Sequence, residues 1–198
     1  FYEDDLNTFT IPEGVKYDLI ICSGSLHHVK ELEHFFVTIS NSLTKDGYFI
    51  INEYVGDCYN IYEDQQIDIV NKILSVIPDE MKSNKNKRIK KNPSLKEVLA
   101  VDPSESVRSK LILPFLKEFF IIEEKNPMGG GILHSVYPFL DNEKFSKNQL
   151  EYVTILKLLS EFELILMETS VLETDFIFCI CRSKQREEHE KNIGNMLF

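Results

Sequence analysis

The chain has 198 residues, 43% of them hydrophobic and 27% charged, a length and composition that suit one domain with a sizeable core. The formal net charge of −10 disfavours nucleic acid as the main partner, and no apolar run reaches the roughly 18 to 20 residues of a membrane helix. The acidic, polar N-terminus does not read as a signal peptide, and four scattered cysteines do not make a disulfide framework.

Residues 1–16 are polar, with "PEG" as a turn. Tyr17–Cys22 is a short apolar run without alternation, as expected for a strand covered on both faces. Leu32, Phe35, Phe36, Ile39 and Leu43 then recur at helical spacing. "TKDG" is expected to end that helix, with Gly47 in a left-handed cap or turn. Tyr48–Val55 is a second strand. A strand, a helix and a strand within about 40 residues make a βαβ unit with parallel strands.

Ile67, Val70, Ile73, Leu74 and Ile77 form the apolar face of a further helix, which Pro78 stops. Lys82–Lys96 carries seven basic residues and no acidic one, and reads as a solvated loop. "DPSE" is a helix start, with Asp102 as cap, Pro103 in the first turn and Glu105 closing a capping box. That helix, broken near Pro114, runs to about Lys117. "FFIIEE" from Phe119 is a third strand, and "NPMGGG" a flexible turn into the apolar segment Ile132–Leu140. A long helix spans about Lys147–Thr169, and Asp175–Ser183 is the last strand. The tail 184–198 is charged. This order defines an α/β sheet covered by helices, with an extra helical layer.

In open α/β sheets ligands bind beyond the carboxyl ends of the strands. Two such ends are suggestive, "CSGSLHH" after Cys22 and "NEYVGD" from Asn52. Ser23 and Gly24 are small enough to let a ligand or another backbone approach. His27 and His28 can exchange protons near neutral pH, or simply cap the following helix. Glu53 continues an apolar strand, as a surface residue or as a base. His34 and His134 read as surface or packing residues. Gly129–Gly131 lacks the lysine and hydroxyl of a phosphate loop, so a plain turn is expected. Cys22, Cys58, Cys179 and Cys181 read as structural thiols in a reducing, cytoplasmic setting, and no metal-ligand spacing stands out.

"YDLIICSGSLHHV", the helix after it and "LTKDGYFIINE" together resemble the class I S-adenosylmethionine-dependent methyltransferases. "NEYVGD", "DPSESVRS" and "GGGILHSVYPFL" resemble a subgroup with a helical insertion after the fifth strand. The resemblance covers most of residues 1–183. It implies a partial Rossmann-like class I methyltransferase sheet with helices on both faces and a helical insertion or lid. A single domain over 1–183 would carry insertions at about 62–117 and 129–169.

The family's glycine-rich cofactor loop is not in the chain, which starts at Phe1 without a methionine. The resemblance therefore implies the C-terminal portion of a longer domain, whose N-terminal half would be its partner. Tyr17–Cys22 would then have an unpaired edge that invites oligomerisation. These residues alone are expected to bind S-adenosylmethionine weakly or not at all. The resemblance further implies methyl transfer to an oxygen or nitrogen of a small-molecule acceptor, such as a sugar. His28 would be the base, ahead of Glu53 and His27. Ser23 and Gly24 would line the cofactor. Asp5, with Asp4 as fallback, would meet its adenine amino group, and Leu6 would flank the ring. A noncatalytic binding module of the same fold is the other reading.

Overall fold

The computed structural model describes residues 3–83, 89–147 and 149–184. The first strand, β1 (Tyr17–Ser23), leads through α1 (Leu32–Ser42) to β2 (Leu43–Tyr54). β1 and β2 pair in parallel, from Leu19↔Tyr48 to Ser23↔Asn52, as the βαβ reading requires. The register slips between Tyr17↔Leu43 and Leu19↔Tyr48, so the intervening β2 residues bulge. Gly47 lies in that bulge rather than at a helix end. A Cβ there would stand 2.8 Å from the Tyr17 carbonyl oxygen, so the close approach of β1 requires glycine.

Among the described residues three α-helices follow: α2 (Asp64–Val76), α3 (Leu95–Val101) and α4 (Ile112–Phe119). The capping box belongs to α3, where Ser94 and Glu97 satisfy each other's backbone N–H groups. The expected helix start at "DPSE" does not form. Asp102 instead accepts from the Ser104 N–H at 2.8 Å, and Ser106 takes φ +50, which turns the chain. Pro114 is tolerated within the first turn of α4, where N–H groups have no intrahelical acceptor.

The third strand, β3 (Phe120–Gly129), runs through "NPMG", which is therefore not a flexible turn. Gly129–Gly131 then enters α5 (Leu133–Val136), α6 (Asn142–Phe145) and α7 (Leu150–Glu168). A Cβ on Gly130 would meet the Phe176 ring at 2.4 Å, and its φ is +100. Packing and conformation explain that glycine. The last strand, β4 (Phe176–Ser183), pairs antiparallel with both β2 and β3, giving the order β1-β2-β4-β3.

Two cores hold this frame. Phe49 and Ile51 of β2, with Ile177, Cys179 and Cys181 of β4, pack on α1 through Leu32, Phe35, Phe36 and Ile39 and on α4 through Ile112 and Leu116. The Phe36 ring stacks on Phe119 and meets Phe49 and Phe120 edge-on. The second core joins α2, α5, α6 and α7 through Val70, Leu74, Ile132, Val136, Phe145 and Leu159. On β1, Leu19 and Ile21 remain 51% and 62% exposed, so the expected open apolar edge strand is present among the described residues. The four cysteines are free, and burial pushes the Cys22 and Cys181 thiols up to about 12 and Cys179 to about 11, as befits unreactive packing groups.

Among the described residues no helix is long and apolar enough to cross a membrane. Residues 84–88 of the basic stretch and 185–198 of the tail lie outside the described part.

Candidate functional site

At the carboxyl end of β1 the chain must reverse before α1. Gly24 makes the turn with φ +61 and donates its N–H to the Asn52 carbonyl at 3.0 Å, tying the ends of β1 and β2 together. Asn52 Nδ2 also reaches Ser23 Oγ at 3.4 Å. Nothing would crowd a Cβ on Gly24 within 4 Å, so its outer face is open. The turn aims the N–H groups of Ser25 and Leu26 at one oxygen of Glu53, each at 2.8 Å. Such paired N–H groups form a small anion nest. Leu26, fully buried, anchors the short 3-10 turn that carries His27 and His28.

Glu53 is 1% exposed on β2, so it is neither a surface carboxylate nor one open to a ligand. Its second oxygen lies 2.9 Å from His27 Nδ1. Burial pushes the Glu53 carboxyl up, but His27 and the Leu26 and Ser25 N–H groups outweigh it and the group titrates below its usual range. The hydrogen bond to Glu53 in turn raises the pKa of His27 against the opposing effect of burial. An ionised Glu53 accepts, so His27 carries its proton on Nδ1 and leaves Nε2 for other chemistry.

The His28 ring sits 4.2 Å from that of His27, tilted 41°. Its Nδ1 is 3.1 Å from Ser104 Oγ. Ser104 donates its only hydroxyl proton to Asp102 at 2.7 Å, so its oxygen must accept from His28. His28 is thereby also held with its proton on Nδ1, and its Nε2 faces Glu105 Oε2 at 3.8 Å. Asn60 and Ser106 occupy the other Glu105 oxygen at 3.0 and 2.9 Å. Arg108 clamps this segment to α1 with two bonds to Glu33, 2.7 and 2.9 Å, and one to the Lys30 carbonyl.

Ser23, Gly24, His27, His28 and Glu53 thus come together at one strand end. Asp5 and Leu6 belong to the N-terminal segment beside it. Asp5 Oδ1 accepts from both nitrogens of Asn7, which lowers its pKa. Asn7 Oδ1 accepts from the Lys30 and Glu31 N–H groups just before α1, and Leu6 packs on the first core. His34 is a packing residue, with Nε2 2.9 Å from the Phe9 carbonyl oxygen. His134 is different. Burial lowers its pKa, and its ring meets Tyr54, which also meets His27 edge-on. It lines an apolar groove of about 650 Å³ with Met128, Leu133, Tyr137, Leu156 and Phe176.

Sequence reasoning missed Ser104 and Glu105 as neighbours of the histidines, because "DPSE" was spent on a helix start. Tyr59 and Asn60, consecutive at positive φ, position Asn60 toward Glu105. Non-glycine residues rarely adopt that conformation, but sequence alone gives little sign of it.

The family model described as a methyltransferase domain matches residues 1–51, the part of the chain holding β1, its turn, both histidines and most of β2. The resemblance to class I S-adenosylmethionine-dependent methyltransferases is thereby borne out over that stretch. Among solved structures, the chain is similar to the O-methyltransferase from a trans-AT PKS multienzyme of Brevibacillus brevis, solved with S-adenosyl-L-homocysteine. Identity is 16%, with 92% of this chain and 48% of that chain covered and a TM-score of 0.41. It is also similar to an S-adenosylmethionine-dependent methyltransferase from Mesorhizobium loti, at 12% identity over 90% of this chain and 67% of that one, TM-score 0.43. The chain therefore spans about half the length of the first. A search of curated proteins finds no match.

Proposed function

We propose that this chain forms the acceptor side of an S-adenosylmethionine-dependent methyltransferase acting on an oxygen or nitrogen of a small molecule. The observation that carries the reading is the buried Glu53–His27 pair, in which His27 lies within the methyltransferase-domain match over residues 1–51 and Glu53 just beyond it. The cofactor would supply an activated methyl group. Ser23 and the open face of Gly24 suit its close approach, and the exposed Asp5 carboxylate suits an adenine amino group. The chain's own contribution is alignment and removal of a proton from the acceptor.

Glu53 is a positioning residue in this reading, since both its oxygens are engaged. It orients His27 and stabilises its charged form, which makes Nε2 a better proton acceptor. His28, the first choice from sequence, lies with its ring tilted against that of His27 and would share in placing the acceptor. The groove between α5 and α7 favours an acceptor with a largely apolar body.

The test is methyl transfer from labelled S-adenosylmethionine to a panel of small hydroxyl and amine acceptors by the whole protein. His27→Ala should lower kcat by roughly 10²-fold or more. Glu53→Gln should lower kcat and shift the acidic limb of the pH profile downward, with KM little changed. Turnover and pH profile unaffected by both would refute the assignment.

A further inference from the structure

We infer that His27, His28 and Glu105 form a binding site for a divalent transition-metal ion of the zinc class. One ring nitrogen from each histidine and a carboxylate oxygen from Glu105 lie within 4.8 Å of one another. Two donors on one zinc ion sit roughly 3 to 3.5 Å apart, given metal–ligand distances near 2 Å. Small rotations of half-buried side chains close that gap. Two imidazoles and one carboxylate are a known zinc donor set that leaves a position for water. Imidazole nitrogen also favours such ions over magnesium or calcium.

The hydrogen bonds around the triad make the case. His27 Nδ1 is engaged by Glu53, and His28 Nδ1 by Ser104. Both neutral rings therefore turn Nε2, a lone pair, away from those partners. Glu105 Oε1 is taken by Asn60 and Ser106, which leaves Oε2 facing His28 Nε2. Donor atoms of the three residues lie close together, and Asp102 adds negative charge 3.9 Å from His28 Nδ1. Each would-be ligand already has the outer partner that fixes tautomer and orientation in metal sites. Glu105 stands far from the histidines in sequence and reaches them through the turn at Asp102–Ser106, so no ligand spacing reveals the set.

This inference does not rest on methyl transfer. If His27 is also the proton acceptor, zinc would compete for the same lone pair and silence it. The full chain, stripped with a chelator, is titrated with Zn²⁺ by calorimetry and with Co²⁺ by visible spectroscopy. One ion per chain is expected, with Co²⁺ bands of a four- or five-coordinate site. Glu105→Gln and His28→Ala should each weaken Zn²⁺ binding at least about tenfold. In the unaltered chain, where folding is not in question, ¹⁵N spectra should show Nε2 of both histidines shifting as Zn²⁺ is added. The absence of saturable Zn²⁺ binding, Nε2 resonances that stay put, or affinity unchanged in both variants would overturn the site. No turnover enters these readouts, so a failed transfer assay leaves the result standing.

Discussion

Glu53 shows how one buried charge organises its surroundings. Removed from water, a carboxylate costs several kcal/mol unless paired and hydrogen-bonded. Two backbone N–H groups and an imidazole meet that demand here. The pair has a defined pH window. His27 titrates above its unfolded value, so its contribution is present below pH 6.5 and is lost as pH rises through the folded pKa. Glu53 titrates below its unfolded value of 4.5, so its contribution is present above 4.5 and is lost as pH falls through the folded value. Chemical denaturation should therefore find the pair's contribution largest between about pH 4.5 and 6.5, and Glu53→Gln should flatten it.

Asp175 behaves oppositely. Burial pushes its carboxyl up to about 7, with Gln66 opposing and Asp57 and Glu163 adding to the rise. A carboxyl raised from 3.8 to about 7 costs the fold stability progressively as pH rises from 3.8 to about 7, and the cost is constant above that. Asp175→Asn should raise Tm most at and above pH 7, and progressively less as pH falls toward 3.8, as thermal scans across that range would show.

At the scale of elements, the first core is an aromatic cluster whose rings come from β2, α1 and the start of β3. Phe49, fully buried, touches Phe35, Phe36 and Phe120. Phe49→Ala should cost about 3–5 kcal/mol in urea unfolding, against under 1 kcal/mol for a swap at an exposed position such as Val76.

The βαβ unit, α2, α7 and the last strand were legible because burial imposes periodicity on apolar residues. Three features were not. Gly47 reads as a helix end, yet its need arises from the Tyr17 carbonyl oxygen of another strand. Asp102 has the same preference for a helix cap and for the side-chain turn it makes, and tertiary contacts chose the turn. "NPMG" carries turn residues but lies in β3, where a register shift directly after Pro127 accommodates it. The site followed the same division. Ser23, Gly24, His27, His28 and Glu53 sit next to strand signals and could be found, whereas Ser104 and Glu105 join through a loop fold that no local pattern records.

On the scale of the whole molecule, β1 is an edge strand with Leu19 and Ile21 exposed, and its outer hydrogen-bonding side pairs with no described strand. Apolar edges of this kind recruit another strand. The chain by itself should self-associate with rising concentration in sedimentation velocity, and Ile21→Lys should shift it toward monomer. A wholly monomeric chain would mean that this edge is not available for pairing.

The claim on which the functional reading depends is that Glu53 holds His27 as a strengthened base at the end of β1. The most direct measurement is the NMR titration of His27 in the unaltered chain and in Glu53→Gln. His27 should titrate above 6.5 with its proton on Nδ1, and its pKa should fall in the variant because the Glu53 hydrogen bond, the largest raising influence, is gone while burial still opposes Glu105 and Asp102. A pKa that is the same in both proteins, or a proton on Nε2, would contradict it.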